Sequence, residues 1–234
     1  MNRAMAEEGG AFAVRVIEAS GITGKPMDRI EIEASRRALA TIKNRLGSAR
    51  LMELLRSEIE ETDRLWEEWA KQSAGEWSRS TVAMEVTGIT SQRWIDWIKS
   101  NLSDEAMHFS VHPEHYVWKK AADIDSGFSR GDYIICELVG RFIFRIYIEI
   151  AEWQGWEKYA DPEFPTRMMV SGYTRNGVEV LRSIAQYRPI PGGFIFKYDG
   201  FHPAAIPAPA SSTAEQVVLE YSNYMRTAYE RSFL

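Results

Sequence analysis

The stretch Tyr133-Ile134-Ile135-Cys136-Glu137-Leu138-Val139-Gly140-Arg141-Phe142-Ile143-Phe144-Arg145-Ile146-Tyr147-Ile148-Glu149 decides the fold class. It is dense in Ile, Val, Phe and Tyr, the side chains that suit a pleated, half-buried surface. Read outward from Gly140, it gives two strands, Tyr133–Val139 and Arg141–Trp153. The same chemistry recurs on both sides. Arg167–Thr174 and Val178–Tyr187 flank Asn176-Gly177, a dipeptide suited to a tight hairpin turn. Pro191-Gly192-Gly193 leads into another strand, Phe194–Tyr198, and Thr81–Val86 supplies a first strand upstream. These segments predict an antiparallel sheet of six or seven strands.

Helical patterns bracket the strands. Between Met27 and Ser73, Ile30, Ile32, Leu39 and Ile42, then Leu51, Leu54, Leu55, Ile59, Leu65, Trp66 and Trp69, recur near helical spacing. Gly47 divides this segment into two helices, since Gly weakens a helix interior by about 1 kcal/mol relative to Ala. Thr90 is placed to N-cap a helix from Ser91 to Leu102. The chain closes with a helix over Thr213–Ser232, capped by Ser212 with Glu215 and striped by Ala214, Val217, Val218, Tyr221, Met225 and Ala228. The order predicts an α+β protein: a helical segment over residues 1–78, and a sheet with a long closing helix over residues 79–234.

Composition excludes several classes. The net charge is −5 and the basic residues are scattered, so no nucleic-acid partner is expected. No apolar run reaches membrane-spanning length, and the acids in Met1–Glu8 argue against a signal peptide. Cys136 is alone, which rules out an intrachain disulfide and makes a reducing cytoplasm the default. Eight Trp, ten Tyr and ten Phe suit either a broad aromatic pocket or a well-filled core. Nucleotide-binding glycine loops, a paired C-x-x-C, a nucleophile elbow and H-E-x-x-H are all missing.

The chemistry concentrates in Met107-His108-Phe109-Ser110-Val111-His112-Pro113-Glu114-His115. Imidazole is the side chain best fitted to bind a transition metal or move a proton near neutral pH. Pro113 cannot sit inside a helix, so the segment is read as extended, with His108 and His112 on one face and His115 past a bend. Glu137 is the second candidate. It lies in a strand apolar on both faces, where a lone carboxylate costs several kcal/mol unless paired, protonated or metal-bound. A salt bridge to Arg141 or Arg145 is the plainer alternative. Gln216 and Glu220 are third, sharing one helix face at i, i+4. Arg141, Arg145 and Glu149 alternate along one strand face and read as a cross-strand charge ladder. His202 reads as a loop residue.

From Met84 to Trp118 the sequence resembles the diacetylphloroglucinol hydrolase and phloretin hydrolase family. The parts that carry the likeness are Val86-Thr87-Gly88-Ile89-Thr90, Trp94-Ile95-Asp96-Trp97 and His112-Pro113-Glu114-His115. Glu137-Leu138-Val139-Gly140 is similar to the family's Glu-x-x-Gly strand, and Gln216 to Tyr224 to its closing His-x-x-x-Glu helix. The resemblance implies a helix-grip, Bet v 1-like domain behind an N-terminal helical part. It implies a metal-dependent hydrolase or lyase that cleaves a carbon–carbon bond in a phenolic or polyketide-like ketone. Zinc or another divalent cation would be held by His115, Glu137 and Glu220. Gln216 falls where the family has its second His ligand, a weaker donor. The family's phenol-binding Tyr falls on Met107 or His108. His108 and His112 are then candidate proton donors, with Glu137 beside them. Two other readings fit the same architecture: a metal-free cyclase or isomerase using His108 and Glu137, and a non-enzymatic module for a hydrophobic small molecule. A homodimer through the helical segment is compatible with all three.

Overall fold

The computed structural model describes residues 27–125, 127, 130–207 and 210–231, with side chains at 28–207 and 214–231 within those ranges. The described residues divide into two units, with the boundary between Ala38 and Leu39. The described part of the first is the opening of helix α1 (Met27–Leu54), where Arg29 pairs with Glu33 at 3.2 Å. The N-terminal residues of the signal-peptide reading and the Ser212 side chain of the expected capping box lie outside the described residues.

In the second unit α1 is interrupted at Gly47, whose φ of 68° and ψ of 165° take it out of the helix. Helix α2 (Arg56–Gln72) follows. Then come β1 (Trp77–Thr87), α3 (Ser91–Asn101), α4 (Glu105–Val111), β2 (His115–Lys120) and a single turn, α5 (Ala121–Ile124). Strands β3 (Tyr133–Val139), β4 (Phe142–Glu149), β5 (Thr166–Tyr173), β6 (Glu179–Ile190) and β7 (Gly193–Pro203) precede the closing helix α6 (Ala210–Arg231). All seven strands form one antiparallel sheet in the order β1-β7-β6-β5-β4-β3-β2. Strands β2 to β7 form a meander, and β1 returns to pair along the full length of β7, from Trp77↔Pro203 to Thr87↔Gly193. This is the helix-grip arrangement.

Alternation along the strands separates two layers. The face that receives α6 carries Tyr187, Phe194, Phe196 and Tyr198, which pack on Val217, Tyr224, Met225 and Ala228 of the helix and on Trp94 of α3. Burying each such apolar side chain contributes roughly 1.5–3 kcal/mol. Part of the expected aromatic supply is therefore core: Tyr187, Phe194 and Phe196 are wholly buried. On the opposite face Ile134, Cys136 and Tyr147 pack against Ile59 of α2. The Cys136 thiol is sealed there, and burial pushes its pKa up to about 12, as an inert structural cysteine requires.

Between β4 and β5 only three residue pairs form, Tyr147↔Tyr173 to Glu149↔Ser171. The rest of β4 is packed by α2, where Trp66 stacks on Phe144 at 4.2 Å. The expected cross-strand charge ladder is replaced by other contacts. Arg145 pairs with Asp63 of α2, and Arg141 lies over the Phe142 ring at 5.1 Å. Among the described residues no helix is long and apolar enough to cross a membrane.

Candidate functional site

The histidine segment differs from its predicted extended form. Residues Glu105–Val111 form a helix because the Asp104 side chain caps it, accepting from the Met107 amide at 3.0 Å. Pro113 falls two residues past the helix end, so its constraint acts on the exit rather than the interior. There the His112 amide donates to the His108 carbonyl at 3.2 Å, and the His115 amide to the His112 carbonyl at 3.2 Å. The chain thus folds tightly around Pro113. Lys43, only 2% exposed, clamps the turn by donating to the carbonyls of Pro113 and His115. Its ammonium lies over the rings of Phe109 and Tyr116. Desolvation lowers its pKa to about 8, against the raising effect of Glu114.

The turn points two imidazoles at Glu137 on β3, next to the edge strand β2. His115 Nε2 lies 3.1 Å from Glu137 Oε2 and 3.6 Å from Glu220 Oε1. His115 Nδ1 faces the His108 carbonyl at 3.4 Å, which leaves Nε2 toward the carboxylates. One donor atom each from His112, His115 and Glu137 lie within 4.8 Å of one another. The rings of His112 and His115 stand 4.6 Å apart. His115 is 1% exposed, whereas the side chains of Glu137 and Glu220 retain 17% each, so the two carboxylates are less completely covered than the imidazole. Glu137 thus pairs with His115, not with Arg141 or Arg145.

Gln216 reaches the same place with opposite polarity to a ligand. Its side-chain amide nitrogen donates to Glu137 Oε2 at 3.1 Å and to the Leu138 carbonyl at 3.4 Å. His108 also departs from its expected place. Its ring stacks on Trp118 at 3.6 Å, Nε2 meets the Leu102 carbonyl at 3.2 Å, and Nδ1 meets the Tyr224 hydroxyl. Both nitrogens are committed. Burial, helped by the His115 charge, pushes its pKa down to about 3, so the ring stays neutral.

The electrostatics follow from the crowding. Burial disfavours the charged form of every group, but the hydrogen bond to Glu137 and the charges of Glu220 and Glu137 outweigh it at His115, whose pKa is raised. Glu137 is held below its ordinary range because the His115 hydrogen bond and the imidazoles of His115, His112 and His202 overcome its burial. Glu220 goes the other way, up to about 7. Burial and the Glu137 charge exceed the pull of His115 and of the Tyr224 hydroxyl. Tyr224 is itself pushed well up, first by burial and then by the Glu220 charge.

His202 is not a loop residue. It lies in β7, paired with Ser78, with its ring edge-on to Trp66 at 5.6 Å. Burial pushes its pKa down to about 4, against the Val180 backbone and the Glu137 charge. Sequence reasoning missed Tyr224, too. The one signal was its helical spacing of four from Glu220.

No family model matches the sequence, and no curated protein matches it. Several solved structures are similar. They include Ara h 8.0201 (10% identity, 66% of this chain and 97% of that one, TM-score 0.41). A START superfamily protein from Mycobacterium smegmatis is similar at 13% identity, over 68% of this chain and 97% of that one, with a TM-score of 0.34. An AHSA1-like protein from Aeromonas hydrophila is similar at 14% identity, over 65% and 92%, with a TM-score of 0.36. The helix-grip class rests on the strand order and closing helix described above, not on these likenesses.

Proposed function

We propose that this chain is a metal-dependent hydrolase or lyase that cleaves a carbon–carbon bond in a phenolic or polyketide-like ketone. The observation that carries the proposal is the approach of His115 Nε2 to Glu137 and Glu220 at 3.1 and 3.6 Å, from three separate elements. Donor atoms of a tetrahedral zinc shell, about 2.0–2.2 Å from the ion, stand about 3.4 Å from one another. The residues therefore fit a divalent cation, which His115, Glu137 and Glu220 would hold. When bound, such an ion supplies carbonyl polarisation and acidified water.

The chain's own residues do the rest. The His108 carbonyl sets the orientation of His115, and Gln216 fixes the Glu137 carboxylate. His108 is a brace rather than the expected proton donor, because both its nitrogens are engaged and its ring stays neutral. The leaving ring carbon needs a proton. The substrate class comes from the resemblance of the Met84–Trp118 segment.

A metal-free cyclase or isomerase is the second reading. It is favoured by the closed His115–Glu137–Gln216 contacts, which leave Glu137 satisfied as it stands. Incubating the purified chain with an acylated phloroglucinol, with and without zinc, separates the two. We expect zinc-dependent release of the carboxylic acid and the deacylated phenol, abolished by chelation. Protein that neither takes up zinc nor gains thermal stability from it would remove the metal-dependent reading.

A further inference from the structure

Resting on that reading of the cluster as a metal centre, we propose that its second imidazole is His112. The ion would be held by His112, His115, Glu137 and Glu220, with Gln216 as a positioning residue for Glu137.

Two independent observations lead there. The first is the polarity of Gln216. Its amide NH2 is shared between the Glu137 carboxylate and the Leu138 carbonyl, two acceptors at 3.1 and 3.4 Å. Turning the amide over to offer its oxygen to an ion would set that oxygen against both acceptors and forfeit two hydrogen bonds. Gln216 therefore serves the centre as a donor that orients a carboxylate.

The second is the turn around Pro113. His112 and His115 lie three residues apart, and the hydrogen bond from the His115 amide to the His112 carbonyl brings both rings to one side. The Lys43 clamp fixes that turn from behind. His112 is wholly buried, and its ring offers a nitrogen within 4.8 Å of both His115 and Glu137 donors. That spacing exceeds the about 3.4 Å of a closed tetrahedral shell. Closing such a shell around an ion would require the His112, His115 and Glu137 donors to draw together. Glu114 competes for this ring from 3.7 Å, but its side chain is 41% exposed and so the weaker attraction. Two imidazoles and two carboxylates make a donor set that suits zinc and balances its charge.

Zinc affinity of the full chain, measured by competition with a chromophoric chelator, tests the assignment on His112→Asn and Gln216→Ala, with circular dichroism to verify the fold. We expect His112→Asn to lose on the order of 100-fold in affinity, and Gln216→Ala no more than about 10-fold, the lower end for an outer-shell partner. Wild-type affinity in His112→Asn with a large loss in Gln216→Ala would overturn the assignment. A wild-type chain that binds no zinc would overturn the metal reading itself, a distinguishable result. Should His112→Asn fail to fold, proton NMR of the cobalt-substituted wild type decides. Two paramagnetically shifted, exchangeable imidazole N–H signals support His112, and one signal overturns it.

Discussion

Replacing Trp66 with Ala tests how α2 is joined to the sheet. Trp66 is 2% exposed, stacks on Phe144 at 4.2 Å and 23°, and meets Trp69 and His202 edge-on at 6.3 and 5.6 Å. A buried Trp removes about 150–250 Å² from water. At about 25 cal/mol per Å² this is worth roughly 4–6 kcal/mol, and ordered aromatic pairs add about 0.5–1.5 kcal/mol each. Neighbours relax partly into the space, so measured losses for such truncations fall near 3–5 kcal/mol. We expect about 4 kcal/mol, read from urea unfolding followed by circular dichroism. Because Trp66 Nε1 has no hydrogen-bond partner among the described residues, Trp66→Phe should lose packing alone and cost clearly less. A loss under about 1 kcal/mol for Trp66→Ala, where a buried aromatic should cost about 3–5, would refute the packing described for α2. So would a separate melting step for α2, since Leu39–Leu234 forms one compact unit.

Three further outcomes follow from other contacts. A Cβ on Gly193 would stand 1.9 Å from the Val86 carbonyl oxygen, so Gly193→Ala should force β1 and β7 apart and lower stability by about 1–3 kcal/mol in thermal unfolding; an unchanged melting temperature would contradict the β1–β7 register. The Asp63 carboxyl is raised above its ordinary 3.8 because burial outweighs Arg145. A raised acid binds its proton more tightly when folded, so its stabilising contribution is present at low pH and lost as pH rises above 3.8. Wild type should therefore lose stability relative to Asp63→Asn as pH climbs from that point, and the opposite slope would show that the arginine dominates. Glu137→Gln keeps the shape but removes the charge next to His115; we expect a folded protein that has lost zinc affinity, and undiminished affinity would take Glu137 out of the donor set.

The strands were legible because their apolar content and turn residues agree. Asn176-Gly177 and Pro191-Gly192-Gly193 marked the turns, and Tyr133–Val139 was read to the residue. Helix α4 was hidden because its seven residues are too few for a periodicity, and Pro113 draws attention away from the Asp104 cap. His202 was misplaced because Gly200 and Pro203 mimic a loop, while the strand is held there by β1, a partner more than a hundred residues away. Within the site, the convergence of His115, Glu137 and Glu220 followed from the resemblance. The donor role of Gln216 did not, since which end of an amide faces a carboxylate depends on tertiary contacts. Nor did the position of His112, which depends on the turn clamped by Lys43.

Anomalous diffraction at the zinc edge, on crystals grown with zinc, tests the central claim most directly. One strong peak between His115 Nε2, Glu137 and Glu220, with ligand distances near 2.0–2.2 Å, is the predicted result. A peak away from these three residues, or none while their side chains stay in mutual contact, would contradict it.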